Sequence, residues 1–181
     1  MRSLHYLLSA AFILALPIIG TSPTLAASDE EIIANATSAA PEPVGKNAAV
    51  MTWDMKTIRE GTNGFTCMPD DTNTTTINDP MCVDKNGLAF IMAIMEKKEP
   101  PPGVGFGYML QGGGSASNAD PYAPAPADGK WEPDDGPHVM IFGVNKEALE
   151  TYPQPKSNPD VTQPYVMYPG TPYAHLMLPV K

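Results

Sequence analysis

Residues 136–144 read GPHVMIFGV, and residues 172–180 read PYAHLMLPV. Each stretch is a short apolar run bounded by Pro or Gly, and such runs predict buried β-strands. Each also carries the pattern His-x-Met, in one case as His138 with Met140 and in the other as His175 with Met177. Because residues i and i+2 of a strand share a face, each histidine is expected on the same side of the sheet as its methionine.

Paired His-x-Met strands suggest a soft-metal site. If the strands are neighbours, two imidazoles and two thioethers converge, and Met167, one strand earlier, adds a third sulfur. Thioethers favour Cu(I), and imidazole accepts either oxidation state of copper. The alternative is packing, since methionine is an adaptable core residue and a histidine at a strand start commonly bonds a loop carbonyl. The residues favour packing, so no cofactor is expected, with copper at His138, Met140, His175 and Met177 as the alternative.

The first 26 residues match a cleavable secretory signal peptide. Arg2 precedes an apolar run over residues 6–20, and the polar stretch after that run ends at Ala26. The run is too short to cross a bilayer, and no later stretch is long and apolar enough to do so. We therefore expect an exported protein, periplasmic or extracellular, cleaved near Ala26 and with no membrane span afterwards.

The charge of the chain limits its partners. It has 20 acidic and 11 basic residues, and the only basic residue before residue 27 is Arg2, so the mature charge is about −10. An acidic chain without a basic cluster argues against nucleic acid and anionic membrane surfaces as partners. A small molecule or a protein remains as the expected partner.

The two cysteines predict a disulfide. Cys67 and Cys82 are the only cysteines, and no histidine or Cys-x-x-Cys motif lies near them. In an oxidising compartment an isolated pair of this kind is most simply a structural bridge. A redox or metal pair is the alternative.

The pattern along the mature chain predicts an α+β fold. Ser28 and Glu31 have the spacing of a capping box, so residues 27–46 are either a leader or a short N-terminal helix. Residues 47–181 are expected to form a single domain, with a small, mostly antiparallel sheet and long Pro- and Gly-rich ordered loops. Its main helix is predicted over about 86–98, with short accessory helices elsewhere. The apolar stripe of that helix is assigned to Leu88, Ile91, Met92 and Met95.

Several short motifs, REGTNGFTC, NDPMC, YMLQGG, SNADPY, GPHVMI and PYVMYPGTPYAHLMLPV, resemble a family of uncharacterised secreted bacterial proteins. The resemblance covers about residues 50–180. It implies a bacterial source and export, and it implies no activity.

Two further function classes follow from the residues. The loop over residues 112–120 carries Ser115, Ser117 and Asp120, so a hydrolase that uses one of these serines with a histidine base is an alternative. The loop lacks Gly-x-Ser-x-Gly, however, and enzymatic activity is not favoured. A binding or interaction module is the main hypothesis, because Pro-flanked aromatic residues often form interaction surfaces. The alternative role of such residues is to cover a small core where regular structure is scarce. They include Tyr122, Trp131, Tyr152, Tyr165, Tyr168 and Tyr173.

Overall fold

The computed structural model describes residues 27–71, 78–126 and 136–180. The predicted signal peptide, residues 1–26, lies outside these ranges, as does Trp131. Among the described residues, no helix combines the length and the apolar character needed to pass through a bilayer.

Short helices and short strands build the fold. The helices are α1 (Asp29–Thr37), α2 (Glu42–Gly45), α3 (Lys85–Met95) and α4 (Lys146–Leu149). The strands are β1 (Ala49–Met51), β2 (Thr57–Arg59), β3 (Phe65–Met68), β4 (Met81–Asp84), β5 (Gly105–Met109), β6 (His138–Phe142), β7 (Tyr165–Met167) and β8 (His175–Pro179).

The strands form one mixed sheet with the order β2-β1-β3-β4-β5-β6-β8-β7. Strands β1 and β3 are parallel, and the other neighbouring pairs are antiparallel. The predicted α+β class and mostly antiparallel sheet are confirmed. The predicted small size is wrong, since the sheet of the described residues has eight strands. The short strands β2 and β4 have three and four residues, and their backbone groups are satisfied by neighbouring strands.

Helix α1 belongs to the core. Ser28 and Glu31 form the predicted capping box, in which each side chain accepts from the other residue's backbone N–H. On its buried side Ala36 is fully covered, and Ala39 just beyond the helix is too. Both alanines cluster with the two cysteines of the sheet. Residues 29–45 therefore contain two helices, the first of which is packed against the same sheet as the rest of the chain.

Helix α3 begins after Asp84, whose side chain accepts a hydrogen bond from the Gly87 amide. It ends in a Schellman motif, with Lys97 at φ 55° and the Lys98 amide bonded back to the Ala93 carbonyl. The helix thus stops short of the predicted 98, and at 11 residues it is only slightly longer than the nine-residue α1. The prediction of one main helix is therefore not confirmed, because α1 and α3 have similar lengths.

The predicted apolar stripe of α3 is wrong at Met95, which is 46% exposed, whereas Phe90 is 4% exposed. The cause is a close approach of the helix to β5 near its first turn. A Cβ on Gly87 would lie 2.9 Å from the Phe106 carbonyl oxygen, and one on Gly105 would lie 2.4 Å from the Gly87 nitrogen. This contact directs Phe90 into the sheet and turns Met95 outwards.

The two faces of the sheet have different coverings. One face packs under α3 and includes Val83, Met109, Met140, Phe142 and Met177. On the opposite face, α1 covers Val50 and the cysteines, and Leu149 of α4 packs with Val166 and Leu176.

The predicted disulfide between Cys67 and Cys82 is confirmed. The two residues lie directly opposite each other on β3 and β4, and neither is exposed. The bridge therefore joins neighbouring strands inside the core beneath α1.

Loops cover the outer edge of β7. The Val166 amide donates to the Pro153 carbonyl at 2.9 Å, and the Tyr168 amide donates to the Asn118 carbonyl at 2.8 Å. Asn118 is 1% exposed, and its side-chain amide donates to the carbonyls of Pro155 and Val166. The loop that carries Asn118 is thereby fixed to the end of the sheet.

Candidate functional site

The antiparallel pairing of β6 with β8 places both His-x-Met units on one face. Met140 lies directly opposite Met177, and His138 lies opposite Pro179. Because the strands run in opposite directions, the histidines lie on opposite sides of this methionine pair. They are separated by about four residues of strand, or roughly 13 Å along the sheet. The structure thus brings the four predicted residues to one surface, with one imidazole on each side of the pair and not both at one point.

Each histidine has a further methionine directly across a strand. Met109 on β5 lies opposite His138, and Met167 on β7 lies opposite His175. Met167 was predicted as a third sulfur. Met109 is not among the predicted site residues, because its place opposite His138 is set by the pairing of β5 with β6.

Backbone carbonyls fix the tautomer of both imidazoles. His138 Nδ1 lies 2.8 Å from the Gly136 carbonyl oxygen, and His175 Nδ1 lies 2.9 Å from that of Tyr173. A carbonyl can only accept, so each Nδ1 carries a hydrogen, and Nε2 is the acceptor nitrogen in the neutral form of each ring. The histidines that ligate metals usually have this arrangement, in which a second partner orients the ring.

Burial keeps His175 neutral. His138 and His175 are 2% and 3% exposed. Desolvation is the main cause that lowers the pKa of His175, and His138 adds a smaller effect in the same direction. The hydrogen bond to the Tyr173 carbonyl acts against both, and the resulting pKa is about 4. Near neutral pH His175 therefore presents a neutral Nε2.

A cavity of about 430 Å³ lies over this face of the sheet. Its volume is in the range of small-molecule sites. Both histidines line it, and so do six methionines, Met81, Met95, Met109, Met140, Met167 and Met177. The far wall is the loop from Gly113 to Pro124, and Trp53 and α3 contribute at the sides.

Two glycines let the site residues approach one another. The position of a Cβ on Gly107 is only 2.8 Å from the Met140 methyl carbon. The position of a Cβ on Gly113 is 2.8 Å from the Met109 methyl carbon, 3.6 Å from its sulfur and 3.4 Å from His138 Cε1. Met140 therefore leans over β5, and the Met109 thioether and the His138 ring edge lie against the same glycine.

Loop-internal hydrogen bonds occupy the serines of the 112–120 loop. Ser115 Oγ donates to the Ser117 carbonyl at 3.2 Å. Ser117 Oγ accepts from the amides of Ala119 and Asp120 at 3.1 and 3.0 Å. Both serines line the cavity, but their hydroxyls shape the loop, and these contacts lend no support to the hydrolase alternative.

A pair of tyrosines fastens the loop to α3. The Tyr122 hydroxyl donates to the Tyr173 hydroxyl at 2.6 Å, and the Tyr173 hydroxyl donates to the Lys98 carbonyl at 2.9 Å. Partial burial and this hydrogen bond raise the pKa of Tyr122 to about 12. Lys97 Nζ lies 4.9 Å from the Tyr122 ring centroid. These contacts thus hold the loop that forms the cavity wall against the C-terminal end of α3.

The Pro-flanked tyrosines mostly serve the core. Tyr165 is 1% and Tyr173 is 6% exposed, whereas Tyr122 is 39% exposed. Tyr165 and Tyr173 therefore have the core-covering role and do not belong to an exposed aromatic surface. Their large side chains are needed to fill the space between short strands and irregular loops.

Hard-ligand clusters do not occur in the described part of the chain, where no group of three or more His, Cys, Asp or Glu is placed to hold a metal ion. Three carboxylate residues also line the cavity, namely Asp71, Asp79 and Asp120. Asp79 accepts a hydrogen bond from the Asp71 amide, and Asp120 accepts one from the Tyr122 amide. Six methionines and two histidines are the soft-donor residues of the cavity lining.

No protein-family model matches this chain, and comparisons with the curated proteins and with the solved structures find no match either.

Proposed function

We propose that the chain is an exported binding protein that takes a small ligand into the cavity between the methionine-bearing face of the sheet and the loop from Gly113 to Pro124. The observation that carries this proposal is the cavity itself, about 430 Å³ and lined mostly by apolar side chains and by methionines. Methionine is normally used to fill irregular gaps in a core. Here six methionines line the cavity, and four of them, Met109, Met140, Met167 and Met177, also belong to the core cluster under α3, so the same residues pack the core and form the cavity wall.

Export is supported by the buried disulfide, because such bridges persist in oxidising compartments. The resemblance of the motifs to secreted bacterial proteins agrees with this location. Because the wall of the cavity is anchored at Asn118 and at Tyr122, the site is preorganised, which lowers the entropic cost of binding.

The test is uptake of a small apolar dye, Nile red, by the purified mature chain. Trp53 lines the cavity and Trp131 is the other tryptophan, so energy transfer to the dye is measured in a Trp131→Phe background, where Trp53 is the sole indole donor. We expect the half-buried Ala123, which lines the cavity, to block uptake when changed to Leu. The matched control is Ala125→Leu in the same loop, where the alanine is exposed and does not line the cavity. Equal dye binding by both variants contradicts the proposal.

A further inference from the structure

The cavity offers a donor set with one chemical preference. Both cysteines are in the disulfide, so the soft donors that line the cavity are thioethers and imidazole nitrogens. Thioethers bind hard cations such as Ca²⁺ and Mg²⁺ poorly, whereas a mixture of thioether and imidazole suits Cu(I). A monovalent ion also carries a smaller desolvation cost into an apolar site than a divalent ion does.

The contacts select one part of the cavity. Met109 lies directly across from His138, and its thioether and the His138 ring edge meet at Gly113. Met140 is two residues from His138 on the same face and leans towards β5 over Gly107. These three side chains therefore converge on one region between β5 and β6.

The other histidine is placed differently. The His175 ring has aromatic neighbours at centroid distances of 5.8 Å for Phe90, 5.2 Å for Phe142 and 5.7 Å for Tyr168. These rings account for His175 as a packed core residue. The His138 ring edge instead lies beside the Met109 thioether: its Cε1 is 3.4 Å, and the Met109 sulfur 3.6 Å, from the position of a Cβ on Gly113.

We propose that the cavity is a Cu(I) site in which His138 Nε2 and the thioether sulfurs of Met109 and Met140 hold the ion. This proposal rests on the proposed binding function and specifies its ligand. The site binds copper already in the +1 state, so no redox step is involved. Met95, which is 46% exposed and lines the cavity, supplies a soft contact at its entrance.

The experiment is an anaerobic Cu(I) competition between the mature chain and the chromophoric chelator bathocuproine disulfonate. We expect one Cu(I) per chain, bound to one nitrogen and two sulfurs by X-ray absorption. The double variant Met109→Leu with Met140→Leu keeps the side-chain volume but removes both sulfurs. Its affinity is expected to fall by at least about 100-fold, the upper end of what loss of a supporting contact costs a metal site.

The matched control is Met68→Leu, because Met68 is fully buried in the same sheet but does not line the cavity. This control should retain the affinity of the unaltered chain. Circular dichroism of each variant verifies folding. Failure of the unaltered chain to take Cu(I) from the chelator overturns the proposal, and so does unchanged affinity in the double variant. Loss of Cu(I) binding in the single variant Met177→Leu overturns the proposed ligand set in favour of the Met140–Met177 pair.

Nile red uptake in the same samples separates the two proposals. If Ala123→Leu blocks the dye while no Cu(I) binds, the cavity binds small ligands and the copper assignment is wrong. If the cavity variants change neither the Cu(I) affinity nor the dye uptake, both proposals are wrong.

Discussion

At the scale of single residues, His175 makes stability depend on pH. Its pKa is about 4 in the folded chain, against an ordinary value of 6.5. Between these values the unfolded chain binds a proton that the folded chain does not, so stability falls as the pH is lowered through this window. The contribution is fully present above pH 6.5 and amounts to roughly 3 kcal/mol, at 1.36 kcal/mol per pKa unit.

The measurement is urea unfolding at several pH values between 7 and 4, for the unaltered chain and for His175→Phe. Phenylalanine suits the aromatic surroundings of this position and does not titrate. Carboxylates with lowered pKa, such as Asp160, titrate in both proteins and cancel in the difference. The variant should lose less stability on acidification, and parallel curves would show that His175 is not the group responsible.

The sequence predicted the residues of the candidate site more completely than their arrangement. The i, i+2 rule is local, so it correctly placed each histidine and methionine of a unit on one face. Which strand lies beside which is set by the long-range register, so Met109 opposite His138 was not predictable from its own segment. The close approach of Met109 and His138 to Gly113 likewise depends on how the loop folds back over the sheet.

At the scale of elements, the contact between α3 and β5 depends on glycine. A Cβ on Gly105 would lie 2.4 Å from the Gly87 nitrogen, so Gly105→Ala must push the helix away from the strand. We expect the free energy of unfolding to fall by about 3 kcal/mol, as for overpacked cores.

The comparison variant for this contact is Gly64→Ala. Gly64 has φ 79° with open space around it, so alanine there costs only the left-handed backbone conformation, about 1 kcal/mol. Chemical denaturation of both variants measures the difference. Equal losses would mean that α3 shifts without cost and that the close contact is not needed.

Helix ends were easier to predict than short strands. Ser28 with Glu31 marks the start of α1 through interactions within one turn. Strands β2 and β4 have only three and four residues, and they are extended because their neighbours supply the hydrogen bonds. The parallel pairing of β1 with β3 brings together segments separated by a third strand in sequence, which no local pattern encodes.

At the scale of the whole molecule, α1 is expected to unfold together with the sheet. Ala36 is fully buried against the layer that holds the cysteines, whereas Ala34 of the same helix is exposed. Ala36→Leu adds volume where there is no space and should lower the free energy of unfolding by about 2 kcal/mol. Ala34→Leu, with the same chemical change, should alter it by less than about 0.5 kcal/mol.

Thermal unfolding followed by circular dichroism checks this expectation. A single transition that moves to lower temperature only in Ala36→Leu indicates one cooperative unit. Identical transitions in both variants would indicate that the N-terminal helices melt separately from residues 47–181.

The covered edge of β7 has a consequence for self-association. Two of its amides are already bonded to the carbonyls of Pro153 and Asn118, so a strand from another molecule cannot be added there without first displacing both loops. At the opposite end of the sheet, β2 has only three residues, which is a short template for intermolecular pairing. The architecture thus resists growth into fibrils from either end, even though its strands are rich in the apolar residues that such polymers favour.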